Sequence, residues 1–137
     1  MNRRRLAAYA MIVRGEDILL AHYVNAETRH WTLPGGGVEH GEDPYDAVVR
    51  EVEEETGYTV VPEVLIGVNS FHPQPEFQAV RLFWEARVVG GELRFEVGGS
   101  TDRAEWFPLA EVAGLERSEV VDRGLELLRA RPKSGHL

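Results

Sequence analysis

A mixed α/β fold, with a β-sheet packed between helices, is what the sequence predicts. Three observations predict it: apolar β-rich runs come first, one strongly signalled helix follows, and further β-rich runs lead to a second helix. Elements in that order bury their apolar faces when helices cover a mixed sheet. The chain has 137 residues, 43% of them hydrophobic and 28% charged, which suits a single domain over residues 1–137.

Leu6 to Val13 and Ile18 to Val24 are short apolar runs separated by Arg14-Gly15-Glu16-Asp17. They read as two strands joined by a tight hairpin. The preceding Arg3, Arg4 and Arg5 read as a solvated end, and the first run as a strand, not a targeting segment. Trp31 to Leu33 leads into Pro34-Gly35-Gly36-Gly37, which reads as a loop.

Asp43-Pro44 opens the clearest helix. Asp43 can cap it, Pro44 suits its first position and Asp46 sits in its first turn. Val48, Val49 and Val52 give it an apolar stripe, and Gly57 supplies a stop. Val60 to Phe71 and Phe77 to Val89 read as longer strands flanking His72-Pro73-Gln74-Pro75. Gly90-Gly91 permits a turn into a strand over Leu93 to Val97. A last strand ends at Trp106-Phe107-Pro108, a short helix begins at Leu109, and Ser118 to Ala130 forms a C-terminal helix.

Composition excludes several classes. Without cysteine there is no disulfide and no thiolate zinc site, which suits a reducing cytoplasm. No apolar run reaches the roughly 20 residues of a membrane span. The net charge of −8 opposes a nucleic-acid backbone, so a polynucleotide is a poor candidate partner. A small anionic substrate requires cations at its site.

Arg50-Glu51-Val52-Glu53-Glu54-Glu55-Thr56-Gly57 concentrates carboxylates on the first helix. Glu51, Glu54 and Glu55, at i, i+3 and i+4, share a face, while Val48 and Val52 mark a core-facing side and Glu53 points away. Like charges at this spacing cost ~0.2–0.5 kcal/mol per pair, and negative charge in the last turn opposes the helix dipole by roughly 0.3–1 kcal/mol per residue. A solvated acidic face accounts for such a helix. So does a site for a hard divalent cation, which takes carboxylate and carbonyl oxygens. The glycine run likewise reads as a plain loop or as backbone that must approach a ligand closely.

Together the two segments say more. Gly36, five residues, Glu42, seven residues, then Arg50-Glu51-Val52-Glu53-Glu54-Glu55-Thr56-Gly57-Tyr58 resembles the signature of the Nudix hydrolase family. Every charged and glycine position matches, and Trp31-Thr32-Leu33-Pro34-Gly35 looks like the usual lead-in. Tyr58 departs from the final aliphatic position and reads as a packing variant. The resemblance implies an α/β/α sandwich and a metal-dependent pyrophosphohydrolase that cleaves a nucleoside diphosphate linked to another group. It implies Mg²⁺, or alternatively Mn²⁺, held by Glu51, Glu54, Glu55 and the Gly36 carbonyl. Gly35, Gly36 and Gly37 would meet the substrate. Arg50 would orient the glutamates, Glu42 would assist, and the general base would be Glu54 or Glu51. Glu105, before Trp106, resembles a late glutamate that approaches the metals in some relatives, and reads equally as a surface charge.

The five histidines read as loop or surface residues, and Trp31, Phe71 and Phe83 as core before base-stacking. Arg81 lies on a strand and reads as a surface charge before a phosphate contact. Nucleoside triphosphates and ADP-ribose are the favoured substrates, with nucleotide sugars and dinucleoside polyphosphates open. Asn25 to His30 and Ser70 to Phe77 are the loops expected to select among them. The alternative is a Nudix module that binds a nucleotide or sugar nucleotide without cleaving it. A homodimer is compatible with the sequence.

Overall fold

The computed structural model describes residues 1–95 and 99–137. Its elements are β1 (Arg3–Met11), β2 (Val13–Arg14), β3 (Asp17–Val24), β4 (Arg29–Thr32), β5 (Gly35–Gly37), α1 (Pro44–Thr56), β6 (Tyr58–Gln74), β7 (Phe77–Gly91), β8 (Thr101–Pro108), a 3₁₀ helix (Leu109–Gly114) and α2 (Glu119–Ala130). A mixed sheet runs β5-β1-β7-β6, with β1 and β7 parallel and the other pairs antiparallel. A second, antiparallel sheet is built on β3, which pairs with β8 along one edge and with β2 and β4 in turn along the other.

Alternation of side chains along each strand splits the core in two. Ala8, Ala10 and Ile12 face the α1 side with Leu19, Val48 and Val52. Met11 faces the α2 side with Leu20, Phe83, Val121 and Leu127. Helices therefore cover both faces, and the predicted α/β/α sandwich is the observed architecture. No helix among the described residues is long and apolar enough to cross a membrane.

Helix α1 forms as its ends dictate. Asp43 accepts a hydrogen bond from the Tyr45 backbone N–H at 2.8 Å, and Gly57 closes the helix at φ 83°. A Cβ on Gly57 would collide with the Glu92 carbonyl, so this stop also serves tertiary packing. Tyr58 packs beside Trp106, whose indole N–H donates to the Tyr58 hydroxyl at 3.3 Å.

Several sequence expectations are corrected. The predicted first hairpin takes only Val13 of the first apolar run, together with Arg14, while β1 pairs in parallel with β7. The chain changes sheets at the buried Ile12. Arg3 to Arg5 are exposed, as expected of a solvated end, and they also belong to β1. The glycine run is no loop: β5 pairs antiparallel with β1, Tyr9 opposite Gly35. Leu93 to Phe95 are not in a strand, and the remainder of that expected strand lies outside the described residues. His22 is buried, not superficial: its ring N–H meets Asp102 at 2.7 Å and its ring lies 4.7 Å from that of Trp31.

Candidate active site

Beside β5, the carboxylates of α1 are ordered by one guanidinium. Arg50 donates from Nε and Nη2 to the two Glu42 oxygens at 2.8 and 2.9 Å, a bidentate pair. Its Nη1 donates to Glu51 at 3.0 Å and, more loosely, to Glu54 at 3.3 Å, and its Nη2 reaches the Gly37 carbonyl at 3.3 Å. Glu42 also accepts the Glu39 backbone N–H at 3.0 Å. The Arg50 hydrogen bonds and this backbone N–H hold the Glu42 carboxyl at about 2. The same bond to Glu42 keeps Arg50 firmly charged.

The glutamates at i, i+3 and i+4 do not end in one environment. Glu55 is 6% exposed and accepts the Gly35 N–H at 2.9 Å. Glu51 is half-buried, and a Cβ on Gly36 would lie 3.0 Å from its carboxyl group. Glu54 stands in solvent, as does Glu53. Gly35 has φ 142° and lies so close to Ala8 and Tyr9 that any side chain would clash with their backbone. Glycine is thus required where the strand edge meets the glutamates.

Glu51, Glu55 and the three glycines line a cavity of about 440 Å³ on the α2 side of the mixed sheet. Register explains its shape. Ala7 lies between Gly37 and Arg81, and Ala79 lies between Arg5 and Phe71. Small side chains at Ala7 and Ala79 leave a trough across the strands. Tyr9 stands further along β1, and burial pushes its hydroxyl pKa up against the opposing pull of Arg5 and Arg81. Tyr23 and His30, stacked at 5.1 Å, also line the cavity. Burial, and then the proximity of His22, depresses the His30 pKa.

Arg81 corrects the expectation of a surface charge, being 4% exposed. It donates to both Glu119 oxygens at 2.7 and 3.2 Å and to Asn69 at 3.0 Å, and it lies 4.5 Å from the centre of the Phe71 ring. Trp31 and Phe83 are core residues as expected, whereas Phe71 lines the cavity. Glu105 is exposed, pairs with Arg103 at 3.3 Å and is not among the residues of the cavity wall.

Among the described residues no three acidic or histidine side chains are already drawn into a metal cage. The donors at the β5 edge are nevertheless all hard oxygens, from carboxylates and glycine carbonyls. One guanidinium bonds Glu42, Glu51 and Glu54 together. Mg²⁺ usually takes only one or two carboxylates and keeps its waters, so this set fits a hydrated divalent cation.

Comparison with known proteins agrees with the geometry. The family model for the NUDIX domain matches residues 3–128. The chain belongs to the Nudix family. It is 40% identical over 106 residues to the ADP-ribose pyrophosphatase of Methanocaldococcus jannaschii, covering 76% of this chain and 62% of that protein. It is 35% identical over 96 residues to the 8-oxo-dGDP phosphatase NUDT18 of Homo sapiens, covering 68% of this chain and 28% of that one. The chain thus spans less than two thirds of either relative's length. A solved Nudix hydrolase from Nitrosomonas europaea superposes with a TM-score of 0.83 at 26% identity, covering 93% of this chain and 90% of that one.

Arg5, Tyr9, Glu119 and Asn69 were not singled out from the sequence as site residues. Alternation along β1 places Arg5 and Tyr9 on one face, but nothing local says which face meets a cavity.

Proposed function

We propose that this chain is a metal-dependent hydrolase cleaving the diphosphate linkage of a nucleoside diphosphate derivative, with nucleoside triphosphates and ADP-ribose as first candidates. The observation that carries this reading is the Arg50-ordered glutamate group set beside a cavity walled by glycine backbone. The names of the relatives, an ADP-ribose pyrophosphatase and an 8-oxo-dGDP phosphatase, support the substrate class.

Glu51, Glu54, Glu55 and the Gly36 carbonyl would hold Mg²⁺ or Mn²⁺. Glu105, tied to Arg103, is left out of this set. The cation would neutralise the diphosphate oxygens and ready a water for attack on phosphorus. Arg50 holds Glu51 and Glu54 in place. Glu54 takes the proton of the attacking water, since it is exposed and its contacts to Arg50 are long, at 3.3 and 3.4 Å. The backbone of Gly35, Gly36 and Gly37 gives the diphosphate a wall without side chains. Arg5 and the protonated Tyr9 hydroxyl face its charge from β1. The absence of cysteine suits a cytoplasmic enzyme.

The test is a screen of nucleotide derivatives with Mg²⁺ and with Mn²⁺, both products being identified so that the broken bond is known. Turnover of at least one diphosphate, abolished by Glu54→Gln, is expected. Absence of product across the panel, or an unchanged Glu54→Gln enzyme, overturns the reading.

A further inference from the structure

The two ends of the trough differ in chemistry, and the hydrolysis proposed above uses only one. At the β5 end stand the glutamates and the glycine backbone. At the other, β6 contributes Phe71, three strand spacings away, or roughly 14 Å. That separation is on the scale of a nucleotide laid out from base to terminal phosphate.

Phe71 is not loosely placed. The guanidinium of Arg81 lies against it, 4.5 Å from the ring centre. Arg81 is itself locked by the two-pronged bond to Glu119 and by Asn69. With its charge answered by Glu119 and its side chain sealed, Arg81 is poorly disposed to seize a phosphate. It supports the ring. The residue directly across from Phe71 on β7 is Ala79, whose small side chain leaves space beside the ring. A half-buried aromatic ring bordering an open trough offers a surface for a flat partner. Every nucleobase has such a face, whereas a sugar ring is puckered and asks for hydrogen-bonding groups instead.

We propose that Phe71 is the platform on which the substrate's nucleobase stacks, with Arg81, Glu119 and Asn69 as positioning residues that hold it. The identity of the other trough end rests on the hydrolase reading; the stacking can be tested without it.

The probes are AMP and ribose 5-phosphate, which differ by the base and contain no anhydride to cleave. Titration calorimetry on the wild-type chain should show tighter binding of AMP. Phe71→Leu, which keeps apolar bulk but loses the π face, should reduce that preference roughly 5- to 100-fold. Phe71→Trp should keep it. Arg81→Lys retains charge but loses the fork, and should erode the preference several-fold while raising KM more than it lowers kcat on any nucleotide turned over. Equal affinity of the wild-type chain for the two probes overturns the proposal, as does an AMP preference that survives Phe71→Leu. If Arg81→Lys lowers only the melting temperature, the positioning role falls. A chain that prefers AMP through Phe71 yet cleaves nothing would sink the hydrolase reading and leave the platform standing.

Discussion

Arg81 lines the trough and Arg50 bonds Glu51 of its wall, and the two differ in the number of carboxylates they meet. Arg81 is nine-tenths buried or more and meets one carboxylate, that of Glu119, with an amide and an aromatic ring completing its shell. Arg50 is more exposed and meets Glu42, Glu51 and Glu54. The first arrangement is self-sufficient. The second shares one guanidinium among three carboxylates beside the cavity, an arrangement that a further cation would favour. The contrast teaches that arginine bonding alone does not separate a support from a reaction centre, whereas the number of carboxylates sharing the arginine does.

The sharpest way to break this comparison is Glu54→Gln. It removes charge from the Arg50 side without changing shape. We expect kcat to fall about 10²- to 10⁴-fold with Mg²⁺ present, while the melting temperature holds or rises because like-charge repulsion is relieved. A drop in stability with activity intact would mean that Glu54 is structural.

On the Arg81 side the larger effect should be on stability. Arg81→Met leaves Glu119 with the longer contact to Arg123 in place of its two-pronged bond, and Phe71 without its support. Glu119 is about half exposed, so the loss should be on the order of 1–3 kcal/mol, read from urea denaturation. A loss below about 0.5 kcal/mol would show that this network is not what holds the wall.

Cation binding should separate the two regions directly. Saturating Mg²⁺, at about a hundred times its dissociation constant, should stabilise the wild-type chain by about 2.7 kcal/mol. Glu51→Gln should remove most of this gain, and Arg81→Met should not. If Mg²⁺ raises the melting temperature of the Glu51→Gln chain as much as that of the wild type, the Arg50 group is not the cation site.

Gly36→Ala tests geometry instead of charge. The new methyl would sit 3.0 Å from the Glu51 carboxyl group, which must shift. A displacement of this kind should cost about tenfold in kcat/KM, with little change in melting temperature. Unchanged activity would show that Glu51 tolerates movement.

The smallest effect concerns acid. Glu42 is held at about 2 against an ordinary 4.5. A depressed carboxylate contributes stability that is complete above its unfolded value and is lost as pH falls through its folded one. The Arg50 network should therefore weaken between about pH 4.5 and pH 2, and Glu42→Gln should flatten the stability profile in that window. Parallel profiles for the two chains would remove Glu42 from the account.

What could be read from sequence was local. Asp43, Pro44 and Gly57 bound α1 through interactions within a few residues, and helical spacing alone put Glu51, Glu54 and Glu55 on neighbouring positions. The order of strands and helices predicted the sandwich for the same reason, since each element's burial pattern is written in its own residues. The spacing from Gly36 to Glu42 and Arg50 pointed to the family.

Tertiary structure decided what each of those groups meets. Parallel pairing of β1 with β7 splits the first apolar run between two sheets, and no signal inside that run announces a partner some 70 residues away. Antiparallel pairing of β5 with β1 makes the glycine run a strand and sets Gly35 against Tyr9. Pairing of β7 with β6 as well as β1 buries Arg81 near Phe71; Arg81 resembled an ordinary strand charge in sequence because its countercharge, Glu119, lies 38 positions further on. The approach of α1 to β5 divides the three glutamates, sealing Glu55 onto the Gly35 N–H while leaving Glu54 in solvent. Helical geometry fixes neighbours on a helix, but only non-local strand register decides which of them faces a cavity, a backbone or water.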